Sequence, residues 1–151
     1  MRYAIIADIH GNYPALKAVL DDARNNDIDH YYFLGDLALV FPYPNEVVDA
    51  IRAITNKYVV KGNQEDYLVN VHSQESSKWE EGQLSTLYWC YNTLTDDNRD
   101  FLMNLSKEVN ITDNDMNIKA FHIPKDYIDN QEILDITTGD FVVMMNYINL
   151  Y

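Results

Sequence analysis

The sequence is poor in several features that define specialised protein classes. It has one cysteine, Cys90, in 151 residues, which excludes a disulfide framework and a thiolate metal cluster. Set among Leu87, Tyr88, Trp89 and Tyr91 in a helical stretch, that thiol reads as core packing. Basic residues are scarce as well: 11 Lys and Arg stand against 24 Asp and Glu, a formal charge of -13. Such a surface repels phosphate polymers and argues against a nucleic-acid scaffold. No apolar segment approaches the roughly 20 residues needed to span a bilayer. The first residues lack the basic region, apolar run and cleavage site of a signal peptide, so the expectation is a cytoplasmic protein with no membrane partner. Repeats, low-complexity tracts and linkers are absent.

What is present is 47% hydrophobic residues, enough for one compact domain over residues 1–151 that buries roughly two-thirds of its unfolded surface. Residues 2–8 form an apolar run ending in Asp8, as in a buried strand. After the turn His10-Gly11-Asn12, the spacing of Leu16, Val19, Leu20 and Ala23 predicts an amphipathic helix, with Asn12 as N-cap and Pro14 in its first turn. The unit recurs. Residues 31–34 run into Gly35-Asp36 and are followed by a helix carrying Val47, Val48, Ile51 and Ile54, with Pro44 at its start. Residues 58–60 run into Gly62-Asn63 and a helix start at Gln64-Glu65-Asp66, acidic near its positive end. Strands alternating with helices imply a parallel sheet with right-handed crossovers. Residues 73–106 read as helical and aromatic-rich. Leu84, Leu87, Tyr88 and Tyr91 share one face, Phe101, Leu102 and Leu105 another, and Thr95 is placed as a cap. Residues 108–112 and 116–122 form a hairpin around Asp113-Asn114-Asp115; a short helix near 129–136 and a last strand at 141–145 follow. The tryptophans Trp79 and Trp89 and the tyrosines are assigned to packing, and His30 and His72 to surface or structural roles.

In an open α/β sheet, ligands bind beyond the carboxyl ends of the strands. Asp8, His10, Asp36 and Asn63 all fall there, and His122 ends a fourth strand. Two carboxylates, two imidazoles and an amide oxygen form a ligand set suited to Mn, Fe, Zn or Mg. Divalent cations would also explain how so acidic a chain could attract a phosphate ester. Singly, each residue has a plainer role: Asp8 and Asp36 as turn or cap residues, Gly35 and Gly62 as turn glycines, Asn63 as a helix N-cap, His122 as a hydrogen-bonded structural histidine. Their joint placement favours the metal reading, because independent turn residues have no reason to put ligands at four strand ends.

The ordered set Asp8-Ile9-His10-Gly11-Asn12, Leu34-Gly35-Asp36 and Val60-Lys61-Gly62-Asn63-Gln64-Glu65, followed by Phe121-His122-Ile123-Pro124, resembles the calcineurin-like metallophosphoesterases. It is most similar to their small prokaryotic members. The resemblance implies a layered β-sheet sandwich flanked by helices. It also implies two divalent metal ions, with Asp8 and His10 on the first, Asp36 bridging, and Asn63 and His122 on the second. Metal-activated water would then hydrolyse a small phosphomonoester or phosphodiester, with Asp36, Asn63 and Gln64 at the catalytic centre and Asn12 near the substrate phosphate. An aspartyl-phosphate mechanism through Asp8 would want a second carboxylate where His10 stands.

Two departures from the family's pattern matter. Gln64 stands where the family has a histidine, and an amide can donate a hydrogen bond but cannot transfer a proton at neutral pH. After residues 140–143 the family's Gly-His-x-His is replaced by Met144-Met145-Asn146-Tyr147, which leaves each metal one imidazole short. On this pattern the fold is expected to be incomplete at its C-terminus, with an exposed edge open to self-association as a homo-oligomer. The alternative function is therefore a catalytically impaired metal-binding or interaction protein of the same fold.

Overall fold

A computed structural model describes residues 1–71, 82–113, 116–123 and 140–144. The first half alternates strand and helix as the periodicity predicts: β1 (Tyr3–Ile6), α1 (Tyr13–Asn25), β2 (His30–Leu34), α2 (Pro44–Ala53), β3 (Lys57–Val60) and α3 (Asn63–Val69). Then come α4 (Gly82–Thr93), α5 (Asp96–Met103), β4 (Glu108–Asp113), β5 (Met116–Phe121) and β6 (Asp140–Met144). The expected helix near 129–136, the central turn residues 114–115, His72, Trp79 and the tail after Met144 lie outside the described residues.

The strands form two sheets. β1, β2 and β3 are parallel, in that order, while β5 pairs antiparallel with β4 and parallel with β6. Alternation along β2 explains the layering, because successive side chains leave a strand on opposite faces. Tyr31 and Phe33 face the helices with Leu16, Leu20, Val47, Val48, Ile51 and Leu102. Tyr32 and Leu34 face the other way and pack, with Val60 of β3, against Ile118 and Ala120 of the second sheet. Helices, parallel sheet and mixed sheet are thus stacked in three layers. Each fully buried Leu, Ile or Phe in them contributes roughly 1.5–3 kcal/mol of transfer free energy.

Local signals hold at the helix ends. Asn12 Oδ1 accepts the Ala15 N–H at 3.2 Å and Thr95 Oγ1 accepts that of Asn98 at 3.3 Å, each satisfying an orphan donor of a first turn. Other expectations need correction. The first strand closes at Ile6, so Asp8 lies two residues beyond it. Val19 is turned to solvent, leaving Leu16, Leu20 and Ala23 as the buried stripe of α1. Trp89 is exposed also, because α4 buries the side that carries Leu87, Tyr88 and Cys90.

Cys90 is fully buried, and burial pushes its thiol up to about 11. At pH 8 only about one thiol in a thousand would be ionised. Intact protein is therefore expected to resist iodoacetamide at pH 8 and to take up label once unfolded in guanidinium, read by mass spectrometry; rapid labelling of the folded chain would contradict this packing.

Candidate metal centre

The site lies where the loops after β1, β2 and β3 meet the end of β5. Beyond the last pairs of β1 and β2, their loops continue side by side. Asp8 N–H donates to the Gly35 carbonyl at 3.2 Å, His10 N–H to that of Asp36 at 2.8 Å, and Gly11 N–H to that of Leu37 at 2.8 Å. Asp8, His10 and Asp36 all have φ between 53° and 54°. That left-handed backbone is disfavoured for residues with a Cβ and recurs where function requires it. Three of the five predicted ligands therefore occupy strained positions.

The five side chains converge. Asp36 is buried, and its Oδ2 lies 3.6 Å from His122 Nε2 and 3.9 Å from His10 Nε2. His10 Nε2 is 3.8 Å from Asp8 Oδ1, and His122 Nε2 is 3.1 Å from Asn63 Oδ1. Asp8, Asp36 and His122 each offer a ligand atom within 4.8 Å of the others. Atoms bound to one ion at about 2.0–2.2 Å can stand no farther apart than about 4.4 Å, and the four pairwise separations above meet that limit.

The protonation pattern fits a cation too. His122 Nδ1 lies 2.6 Å from the Leu34 carbonyl, an acceptor only, so Nδ1 carries a proton and Nε2 is the nitrogen turned toward Asn63 Oδ1 and Asp36 Oδ2. In the neutral ring Nε2 holds a lone pair at that place, beside the oxygens of Asn63 and Asp36, as a divalent cation would require. His10 Nδ1 is buried with no hydrogen-bond partner among the described residues. Its ring therefore lacks the fixed tautomer of His122.

Asp36 divides its two oxygens. Oδ1 accepts the Gln64 N–H at 3.0 Å, leaving Oδ2 for the cluster. Burial holds this carboxyl above the usual aspartate range; the Gln64 N–H and the two imidazoles pull it down, while Asp8 pushes it up. Asn63 is the first residue of α3 and not its cap, since Gly62 takes the cap position. The reading of Asn63 as an N-cap is thereby overturned, and its side-chain oxygen is turned to His122. Asn12 caps α1 through Oδ1. Gln64 places its backbone on Asp36 and has a half-buried side chain.

Neither glycine of the second and third motifs is a simple turn residue. A Cβ on Gly35, which has φ +80°, would stand 2.5 Å from Gly62 N, and one on Gly62 would overlap both the backbone and the carboxylate of Asp36. The two ligand loops pass backbone against backbone, at a distance only glycine permits.

The sequence reading missed Glu65. It is fully buried, and its carboxylate accepts the N–H groups of Asp36, Leu37 and Gly62 at 2.8–2.9 Å and that of Ala38 at 3.4 Å. Burial raises this carboxyl above the usual glutamate range, and nearby Asp36 adds to the rise, while the Gly62, Leu37 and Asp36 N–H groups oppose it. The available signal was its spacing, three residues after the helix cap, where Glu commonly returns to the cap N–H.

A parallel sheet whose strand ends bring Asp, His and Asn together, packed on a second sheet that adds a histidine, defines the class of metallophosphoesterases. The chain matches the calcineurin-like phosphoesterase family over residues 1–149 and belongs to it. Members of this family are hydrolases that normally bind divalent metals. An uncharacterized protein of Methanocaldococcus jannaschii is 38% identical over 104 residues, 68% of this chain and 41% of that one. A metallophosphoesterase from Sphaerobacter thermophilus has a TM-score of 0.63 at 28% identity, covering 78% of this chain and 46% of that one. A hypothetical protein from Pyrococcus horikoshii has a TM-score of 0.64 at 25% identity, covering 78% and 52%. This chain spans about half the length of these relatives, or less. Among the described residues, no helix is long and apolar enough to cross a membrane.

Proposed function

We propose that this chain hydrolyses a small phosphate ester, monoester or diester, with divalent cations held by Asp8, His10, Asp36, Asn63 and His122. The observation that carries this reading is the meeting of Asp8, Asp36 and His122 ligand atoms within 4.8 Å, with His122 Nε2 turned inward while Nδ1 is held by the Leu34 carbonyl. Asp8 and His10 would hold one ion, Asn63 and His122 the second, and Asp36 would be shared. Bound divalent cations supply Lewis acidity toward a phosphoryl oxygen and make a water more acidic. The chain's own residues do the rest. Asp36 directs one oxygen into the cluster while its other is fixed by Gln64 N–H. The Asn12 amide nitrogen can donate to a phosphate oxygen. The acidic surface, with a formal charge of -13, disfavours polyanionic substrates and leaves small esters.

The test is a manganese titration followed by calorimetry, paired with hydrolysis of an aryl phosphate, with Asp36→Ala as control. Metal binding with Asp36-dependent turnover supports the reading; absence of both sinks it.

Gln64 motivates a second reading, a metal-binding relative with impaired catalysis. Its side chain can hydrogen-bond a phosphoryl or leaving oxygen but cannot hand over a proton. Gln64→His is expected to raise turnover of an aryl phosphate by roughly a hundredfold, the lower end of what a positioned acid or base contributes. Unchanged turnover would show that position 64 is not what limits the reaction.

A further inference from the structure

Glu65 is a charged side chain with no exposure to solvent and no part in the chemistry above. A buried carboxylate is costly unless its oxygens are satisfied, and here both are. Oε2 accepts from Asp36 N–H at 2.9 Å and Gly62 N–H at 2.8 Å, and Oε1 from Leu37 N–H at 2.9 Å and Ala38 N–H at 3.4 Å. With two donors on each oxygen, Glu65 has no lone pair left for a metal ion. It joins three consecutive N–H groups of the loop after β2 to the N–H that begins α3.

The grip is reciprocal. Glu65, carried by α3, holds the backbone of Asp36; Asp36, carried by the other loop, holds the backbone of α3 through the Gln64 N–H at 3.0 Å. Glu65 thus fixes the main chain of Asp36, and Asp36 fixes the main chain one residue before Glu65, across a contact so close that Gly35 and Gly62 leave no room for a Cβ. One result is the left-handed backbone of Asp36, at φ 54°, which its own sequence does not favour. The other is the direction of Asp36 Oδ2 toward His10 and His122.

We infer that Glu65 is a positioning residue that clasps the two ligand-bearing loops and sets Asp36 and Asn63 in place before any cation binds. The inference rests on the metal reading given above. Glutamine is the informative replacement because it keeps the shape but has one acceptor oxygen. Its amide nitrogen would face backbone N–H groups with no lone pair to offer.

For Glu65→Gln, manganese affinity measured by calorimetry is expected to fall by roughly 10- to 100-fold, as for other residues that orient metal ligands. The measurement is made well below the unfolding midpoint, with far-UV circular dichroism unchanged. The visible absorption of the cobalt(II)-loaded variant should also differ from wild type, a signature that loss of stability alone would not produce. A variant that melts earlier yet binds manganese with wild-type affinity and shows the wild-type cobalt spectrum would overturn the inference. If wild type itself binds no metal, the metal reading fails and this inference with it; if wild type binds and Glu65→Gln binds equally, the inference alone fails. Should the variant not fold, hydrogen exchange on wild type decides the matter. Protection of the Asp36, Leu37 and Gly62 amides without metal supports a pre-formed clasp, whereas protection that develops only on adding manganese overturns it.

Discussion

Asp36→Ala is expected to abolish metal binding and to lower aryl phosphate turnover by at least about a thousandfold, or ~4 kcal/mol of transition-state stabilisation. The size of the effect follows from position. Asp36 Oδ2 lies close to both imidazoles, 3.6 Å from His122 and 3.9 Å from His10, so on the proposed reading its removal takes the shared ligand from both halves of the cluster. Oδ1 goes too, and with it the acceptor for Gln64 N–H. Asp36→Asn separates the two roles, since its amide oxygen can still accept that N–H while the negative charge is lost. Native circular dichroism and a normal melting curve are expected for Asp36→Asn, with turnover still lost. If Asp36→Asn retained wild-type manganese affinity and turnover, the carboxylate would not be the bridge between the two halves of the site.

Gly62→Ala is expected to lower stability by about 2–4 kcal/mol, at or slightly above the usual range for overpacking a filled interior. For a chain of this size that is a fall in melting temperature of roughly 4–16 °C. The added methyl would meet the Asp36 backbone and carboxylate, and main chain cannot turn aside as a flexible side-chain end can. The loops must separate, which breaks the bonds from Leu37 and Asp36 to Glu65 and swings Asp36 away from the histidines. Metal affinity should therefore fall together with stability. Gly35→Ala adds the penalty of a left-handed φ of +80° and is expected to be at least as damaging. A Gly62→Ala protein with an unchanged melting curve and unchanged metal affinity would show that the loops are not packed as described.

Much of this was legible in the order of residues. The alternation of strand and helix, the capping by Asn12 and Thr95, the burial of Cys90 and the parallel pairing of the first three strands follow from hydrophobic period and turn chemistry. The places of Asp8, His10, Asp36 and Asn63 after successive strands were legible also. What misled were single positions on helices and at helix ends. Val19 fits an apolar stripe by spacing and Trp89 reads as a packing residue, yet both are exposed. Asn63 had the chemistry of a cap but is the first helical residue, because Gly62, pressed against Asp36, takes the cap position.

Glu65 marks the boundary most clearly. In sequence it is an acid in the first turn of a short helix, where a solvated role is the ordinary one. In the fold it is enclosed, and the groups it holds at Asp36 lie 29 residues away. Likewise the tautomer of His122 depends on the Leu34 carbonyl, 88 residues distant. By itself the sequence determined which segments become strands and helices and which ligand-bearing residues stand at their ends, because period, capping and turn preference act over a few neighbouring residues. The tertiary structure alone decided that these ligands meet, that each aspartate oxygen has a separate task, and that Glu65 clasps the loops. Those outcomes depend on two sheets packing face to face and two backbones closing to a distance only glycine allows, and such contacts join residues that have no local influence on one another.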